Sequence, residues 1–151
     1  MTNKTLIAFA TKGGVTGENA QIIGDVLKST YGLEVDIVDL NQKSKIDISA
    51  YKNIVVGGGI RAQRWYGKPI KFLKKNDFAD KNLAIFFSSH EAGTPKSYEG
   101  AIRKYVTKKI MTKLQLNPIA YEGFGGRGLK QDTTDPEKVK NWAEELGKKL
   151  S

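Results

Sequence analysis

Short, uninterrupted apolar runs separated by amphipathic segments are the feature that most constrains how this chain folds. Residues 5–9, 54–56 and 83–87 form three such runs, and each is typical of a strand buried on both faces. Residues 34–40 alternate apolar and polar side chains, which predicts a less buried strand at a sheet edge. Residues 117–121 predict the last strand. The triplet Gly57, Gly58 and Gly59 is interpreted as the loop that follows the third strand.

Between these runs, apolar residues recur at helical spacing. The last helix has its own start signal, with Asp135 as the N-cap and Pro136 at the first helical position. Apolar residues at this spacing mark helices within residues 20–31, 68–75 and 98–110, and in the last helix they run from residue 139 to residue 150.

Five strands alternating with helices make a βαβ series, and right-handed crossovers then require a parallel sheet covered by helices on both faces. The fold class is therefore α/β, a doubly wound five-stranded sheet. The chain has 151 residues, a length that fits one domain spanning residues 1–151. In such sheets a ligand lies beyond the carboxyl ends of the strands, where the strand order reverses. We therefore expect the site in the loops after Phe9, Val56 and Phe87.

The chain contains no cysteine, which excludes disulfides, a thiol nucleophile and cysteine-bound clusters. It contains one histidine. A metal site built from several histidines is excluded as well, so no metal ligand is predicted. The longest apolar runs are far shorter than the ~20 residues of a membrane-spanning helix. Residues 1–4 lead directly into the first strand without a signal-peptide pattern. We expect a soluble cytoplasmic protein without a membrane span.

The first of the three loops is rich in glycine and hydroxyl side chains and lies between a buried strand and a helix. Glycines let the backbone approach an anion closely, and the free amides of the first helical turn point toward it. Thr11 and Thr16 add hydroxyl donors, and Lys12 adds positive charge. The loop matches neither the P-loop nor the dinucleotide-binding pattern. A phosphate cradle and a plain tight turn capped by Thr16 both remain open on this loop alone.

Three loops together resemble one family. Residues 8–16, Ala-Phe-Ala-Thr-Lys-Gly-Gly-Val-Thr, are similar to the phosphate loop of the flavodoxin-like proteins. They are close to the form found in the subgroup that includes the menaquinone-dependent protoporphyrinogen dehydrogenases. Residues 54–61, 83–88 and 124–127 are similar to the corresponding later strands and loops, in the same order, so the resemblance extends over nearly the whole chain.

The resemblance implies strand order 2-1-3-4-5 and one non-covalently bound FMN. It implies that the first loop holds the phosphate, that the second runs along the isoalloxazine edge with Trp65 stacked on a ring face, and that the third faces the pyrimidine side of the ring. The implied cofactor-binding residues are Thr11, Lys12, Gly13, Gly14, Val15, Thr16, Gly58, Gly59, Ile60, Arg61, Ala62, Trp65, Ser88, Ser89, His90, Glu91, Gly93 and Thr94.

The chain also departs from the family pattern. Val15 stands where a hydroxyl residue is usual, so one phosphate donor fewer is expected. Most electron-carrying flavodoxins are acidic, whereas this chain has 25 Lys and Arg against 16 Asp and Glu. The protoporphyrinogen dehydrogenases carry a long basic insertion after the fifth strand, where this chain has only residues 124–134. That difference argues against a membrane-associated, porphyrin-oxidising role.

The positive charge is concentrated in two segments. Residues 61–75 have a net charge of +6 and residues 96–113 a net charge of +5, within a total of +9. Both segments follow loops assigned to the cofactor, so a basic rim of Arg61, Arg64, Lys68 and Lys96 is expected to dock an acidic redox protein. A merely solvated helix face remains the alternative. No motif for nucleic acid accompanies these charges, and a monomer or weak dimer is expected.

Three functions are compatible with this sequence. The first is an FMN-binding flavodoxin that transfers electrons and has no catalytic residue of its own. The second is a small FMN-dependent oxidoreductase, a quinone or protoporphyrinogen-type dehydrogenase, with an open cavity over the ring bounded by residues 90–98. The third is a non-redox binding module for an acidic partner.

Overall fold

Six strands form one sheet in the computed structural model, which describes residues 4–127 and 131–151. The strands are β1 (Thr5–Ala10), β2 (Val35–Asp39), β3 (Asn53–Arg61), β4 (Arg64–Trp65), β5 (Asn82–Ser88) and β6 (Ala120–Phe124). Five are parallel, in the order β2-β1-β3-β5-β6, and β4 pairs antiparallel with the end of β3. Apart from the two-residue β4, this is the predicted order 2-1-3-4-5, and the predicted fold class is confirmed.

The helices occupy the predicted places, with different boundaries. They are α1 (Val15–Tyr31), α2 (Gly67–Lys75), α3 (Pro95–Ile102), which continues as a π-helix over Arg103–Lys113, and α4 (Pro136–Leu150). Single 3₁₀ turns cover Ile48–Ala50 and Glu91–Gly93. Asp135 caps α4 as predicted, because its carboxylate accepts a 3.2 Å hydrogen bond from the backbone N–H of Lys138.

Each face of the sheet is covered by a pair of helices. Alternate side chains along β1 point to opposite faces, so Ile7 packs with α1 and α4, whereas Leu6 packs with α2, α3 and the π-helix. Burial on both faces explains why the three central strands have continuous apolar sequences. The edge position of β2 explains its alternation, as predicted.

Two expected boundaries are wrong. The glycine triplet 57–59 belongs to β3 and is not a loop, since β3 runs on to Arg61. The last strand covers Ala120–Phe124 instead of residues 117–121, because Pro118 has no N–H to donate and pairing with β5 begins at Ile119 and continues through Ala120.

No helix among the described residues is long and apolar enough to cross a bilayer. Residues 1–3, on which the expectation about the start of the chain rests, lie outside the described residues.

The contact between α1 and α4 depends on a missing Cβ. The ring of Tyr31 lies against Gly147, and its hydroxyl donates a 2.7 Å hydrogen bond to the carbonyl of Glu144. A methyl group at position 147 would overlap this tethered ring. We expect Gly147→Ala to lower the free energy of unfolding by about 1–3 kcal/mol, the usual cost of overpacking. Urea denaturation measures the change.

Gly100→Ala is the matched control, because Gly100 also lies in a helix and nothing stands within 4 Å of its added Cβ. The alanine should leave stability unchanged or raise it by up to about 1 kcal/mol through helix propensity. Equal effects of the two substitutions would contradict the packing argument.

Candidate functional site

A cavity of about 520 Å³ opens at the carboxyl ends of β1, β3 and β5, beside the segment that follows β6. The chain leaves β1 for α1 on one face of the sheet and leaves β3 for α2 on the other, so the cavity lies at the point where the strand order reverses. Its lining residues are Thr11, Lys12, Gly13, Val15, Thr16, Gly59, Ile60, Arg61, Tyr66, Ser88, Ser89, His90, Gly126 and Arg127.

The turn from β1 to α1 forms the floor of the cavity. Gly14 is the N-cap residue of α1 and has a φ of 86°, a left-handed conformation that glycine adopts without strain. The hydroxyl of Thr11 accepts a 3.3 Å hydrogen bond from the Gly13 amide. Amides in the first turn of a helix have no intrahelical partner, so this turn presents N–H donors to the cavity.

Thr16 carries the most informative atom in this cavity. Its hydroxyl oxygen is fully buried and has no hydrogen-bond partner among the described residues. Across the cavity floor, a Cβ on Gly59 would lie 2.6 Å from the Thr11 hydroxyl and 3.6 Å from that of Thr16. The missing side chain at position 59 therefore keeps open the space that these two hydroxyls face. The buried hydroxyl of Thr16, the half-exposed hydroxyl of Thr11, the free amides and the open cradle fit a phosphate group.

A tight hairpin between β3 and β4 forms a second wall. Ala62 and Gln63 connect the two strands with φ of 50° and 61°, and both are non-glycine residues in the left-handed region. The backbone amide of Tyr66 donates a 2.9 Å hydrogen bond to the Gly59 carbonyl. The Tyr66 hydroxyl donates a 3.2 Å hydrogen bond to the side-chain oxygen of Asn41. Tyr66 is thereby held as the aromatic side chain of the cavity.

The third wall combines the loop after β5 with the segment after β6. The Ser88 hydroxyl accepts from the Asn19 amide at 3.0 Å, and the Ser89 amide donates to the Phe124 carbonyl at 2.9 Å. His90 lies at the exposed end, 3.2 Å from the Gln131 side chain. A Cβ on Gly126 would lie 3.2 Å from the His90 amide, so glycine allows the two segments to approach closely.

An ion pair connects the third wall to the cavity floor. Arg127 donates two 2.7 Å hydrogen bonds to the carboxylate of Glu18 in the first turn of α1. The hydrogen bond from Arg127 lowers the pKa of Glu18, and the Glu18 carboxylate raises the pKa of Arg127. The positive charge of Arg127 at the cavity is thus already paired with the carboxylate of Glu18.

Most of the predicted residues line the cavity, but seven do not. These are Gly14, Gly58, Ala62, Trp65, Glu91, Gly93 and Thr94. Trp65 is only 9% exposed, packs edge-on against Phe87 and donates a 2.9 Å hydrogen bond to the Tyr105 carbonyl. Its ring lies against Gly58, where a Cβ would be 2.7 Å away. The predicted stacking position of Trp65 is therefore corrected, because β4 turns its side chain into the core.

The other predicted residues outside the cavity serve local structure. The carboxylate of Glu91 accepts from the Tyr105 hydroxyl at 2.7 Å and from Lys104 at 3.2 Å. Burial, followed by this hydrogen bond, raises the pKa of Tyr105. Gly93 packs against Thr133, and the Thr94 hydroxyl contacts Ser97 and the carbonyl of Glu91.

Three lining residues are absent from the sequence prediction: Tyr66, Gly126 and Arg127. The sequence signal for the last two is the similarity of residues 124–127 to the family's last loop, which the prediction did not carry over to the site. Tyr66 has no separate signal, since its place depends on the hairpin. Within residues 4–127 and 131–151, no group of three or more His, Asp or Glu side chains is arranged to hold a metal ion.

Comparison with known sequences gives one family. A family model described as a flavodoxin domain matches residues 6–140. Protoporphyrinogen IX dehydrogenase [quinone] of Escherichia coli (strain K12) is 26% identical over 110 residues, which cover 72% of this chain. The aligned region spans 60% of the length of that relative.

Comparison with solved structures gives the same fold. Oxidised Flavodoxin 1 of Bacillus cereus superposes with a TM-score of 0.68 at 18% identity and covers 97% of this chain and 96% of its own. A mutant flavodoxin of Fusobacterium nucleatum, solved with flavin mononucleotide bound, has a TM-score of 0.64 at 15% identity. It covers 100% of this chain and 99% of its own.

The Glu18–Arg127 pair generates a titration prediction. In the intact protein, we expect the carboxyl carbon of Glu18 to titrate below its ordinary pKa of 4.5, and in Arg127→Gln to titrate at or near that value. Because the folded-state pKa is lowered, the pair stabilises the protein above the unfolded-state pKa, and this contribution is lost as the pH falls through the folded-state pKa. Carbon-detected NMR titration measures both values.

Asp47 is the internal control in the same titration. Its pKa is lowered by hydrogen bonds from Ser49, with no contribution from Arg127, so it should be identical in both proteins. A Glu18 midpoint that does not move in Arg127→Gln would contradict the ion pair.

Proposed function

The chain belongs to the flavodoxin domain family, and from this membership we propose that it binds one FMN in the cavity at the carboxyl ends of β1, β3 and β5 and works as an electron-transfer protein. When bound, FMN supplies the chemistry, because it accepts and gives up one or two electrons. The chain's own residues hold the cofactor, exclude water from part of it and present one edge to a partner.

The buried, unpaired hydroxyl of Thr16 carries this proposal. An unsatisfied buried polar group costs about 1–3 kcal/mol, so its presence at the cavity floor points to a ligand atom that completes it. The amides of the first turn of α1 and the hydroxyl of Thr11 face the same space. A phosphate monoester, which only accepts hydrogen bonds when fully ionised, matches this set of donors.

Other residues of the cavity suit the rest of the cofactor. Arg61 and Lys12 add positive charge at the mouth, and the Tyr66 ring offers an aromatic face. A flat, electron-poor ring system stacks favourably on such a face. Tyr66 therefore takes the position that the sequence assigned to Trp65.

We further propose that the partner is an acidic redox protein. Arg61 and Arg64 face each other across the β3–β4 hairpin, next to the cavity mouth, and both are exposed. Lys68 at the start of α2 and Lys96 at the start of α3 are exposed as well. Exposed positive charges such as these speed the encounter with an oppositely charged protein.

Replacing the orphaned hydroxyl tests the cofactor site. We expect Thr16→Val to bind FMN about 10- to 100-fold more weakly, because a hydrogen bond to a charged group contributes about 1.5–3 kcal/mol. The stability of the FMN-free protein should stay equal or rise, since the buried hydroxyl without a partner is removed. Fluorescence titration measures the affinity, and urea denaturation measures the stability.

Thr16→Ser is the matched control, because it keeps the hydroxyl and should retain most of the affinity. A protein that neither contains flavin when purified nor takes up added FMN would overturn the proposed function. Equal FMN affinity in Thr16→Val and the unchanged protein would remove Thr16 from the site.

The basic rim predicts a salt effect on electron transfer. We expect the rate of reduction by an acidic ferredoxin to fall steeply between low and physiological ionic strength, because exposed charges are screened over about 8–10 Å. In the double variant Arg61→Gln and Arg64→Gln, the rate at low salt should be about 10-fold lower and the salt dependence weaker. Stopped-flow absorbance at the flavin bands gives these rates.

Reoxidation by a neutral quinone is the control and should not depend on salt. A salt-independent rate with the acidic ferredoxin would contradict the docking surface. Sustained turnover with the quinone, without any protein partner, would support instead a quinone-dependent dehydrogenase activity, the kind for which the Escherichia coli relative is named.

A further inference from the structure

A second, separate concavity lies between α2 and the π-helix, on the opposite side of the hairpin from the cofactor cavity. It measures about 600 Å³, and we call it the cationic groove. Its floor is formed by Trp65, Ile70 and Tyr105, which are almost fully buried. Its walls carry six cations, namely Arg64, Lys71, Lys74, Lys104, Lys109 and Lys113.

The cations of the groove are left largely uncompensated. None of the lining residues is acidic. Among the described residues, Lys104 is the one member of this group with a carboxylate partner, Glu91 at 3.2 Å. The pKa of Lys109 is lowered first by burial and then by the charges of Lys113 and Lys74. Lys109 is therefore repelled both by Lys113 of its own helix and by Lys74 of α2, across the space of the groove.

We propose that the cationic groove binds a small organic molecule that carries two or more phosphate groups, held by Lys74, Lys109 and Lys113 over the floor of Trp65 and Ile70. An anion placed among these lysines removes their repulsion and gains several charge-assisted hydrogen bonds at once. Ammonium groups on flexible stems adapt to phosphate oxygens as point charges.

The shape of the groove favours a small molecule over a protein surface. Its volume is within the range of about 300–1,000 Å³ that small-ligand pockets occupy. From Gly67 to Lys74, the α2 wall is roughly 10 Å long at 1.5 Å per residue, which suits one compact ligand. Of the four cations of the proposed basic rim, Arg64 is the one that lines the groove, so the other five cations of the groove remain available to a ligand.

The ligand proposal does not depend on the cofactor, so the test separates the two sites. FMN-saturated protein is titrated with pyrophosphate and with ATP at low salt, while the two tryptophan indole N–H signals are followed by NMR. Trp65 is part of the groove floor. Trp142 is a residue of α4 and packs against Phe86 and Phe124 on the other face of the sheet. We expect the Trp65 signal to shift with saturation and the Trp142 signal to stay in place.

Two double variants of equal charge provide the specificity control. Lys74→Gln with Lys109→Gln removes two groove cations and should weaken binding by about 10-fold or more. Lys43→Gln with Lys45→Gln removes two exposed lysines outside the groove and should leave the affinity within about 2-fold. We expect ATP to bind more tightly than pyrophosphate because of the apolar floor, and equal binding would contradict the placement of an organic group over Trp65 and Ile70.

Three results would overturn the proposal. Equal weakening in both double variants would show unspecific attraction to net charge. A Trp65 signal that does not shift with either probe would show that the groove is not the site. Loss of pyrophosphate binding in Thr16→Val, with retention in the lysine variant, would place the anion in the cofactor cavity. If the protein takes up no FMN, the same titration on the FMN-free protein still decides the groove, so the two proposals fail independently.

Discussion

The buried hydroxyl of Thr16 without a partner is the constraint on which the site depends. A folded chain rarely leaves such a group unsatisfied, since the cost of about 1–3 kcal/mol is a sizeable part of a net stability of about 5–15 kcal/mol. The surrounding backbone offers no hydrogen-bond partner to the Thr16 hydroxyl and leaves the space beside it open. Gly14 turns the chain so that the first amides of α1 point inward, and Gly59 leaves the facing strand without a side chain. The cradle is thus built for an acceptor that the chain itself does not supply.

Many of the positive charges of the protein lie on the helices that cover one face of the sheet. The two basic segments of the sequence become neighbouring elements on one face of the sheet, with α2 on one side of the cationic groove and the π-helix that follows α3 on the other. Their cations were expected around the cofactor mouth, but only Arg61 lines the cofactor cavity. Lysines gathered in a groove with one carboxylate partner among them, Glu91 at Lys104, repel one another more than they would if spread evenly over the surface. This repulsion is what distinguishes the groove from an ordinary solvated helix face.

The sequence predicted the sheet, and most of the residues it assigned to the cofactor line one cavity at the carboxyl ends of the strands, because both features depend on local signals. Burial on both faces leaves continuous apolar strands, and the carboxyl ends of parallel strands must meet at one edge. The prediction erred where position depends on a tertiary turn. Trp65 and Tyr66 are adjacent in sequence, and nothing local shows that β4 points the first into the core and leaves the second at the cavity. The cationic groove could not be predicted from the sequence either, because its two walls are separated by about 30 residues of chain.

The β3–β4 hairpin is the element that both concavities share. Arg61 lines the cofactor cavity, its cross-strand partner Arg64 lines the groove, and Gln63 at the turn contacts Lys104 at 3.3 Å. Ala62 and Gln63 hold this turn in the left-handed region, at a cost of about 1 kcal/mol or more for each non-glycine residue. Such strain persists only where the surroundings fix the backbone, and here Trp65 fixes it from the core side and the Tyr66 amide from the cavity side. The same two strained residues therefore fix the positions of Arg61 in one concavity and Arg64 in the other.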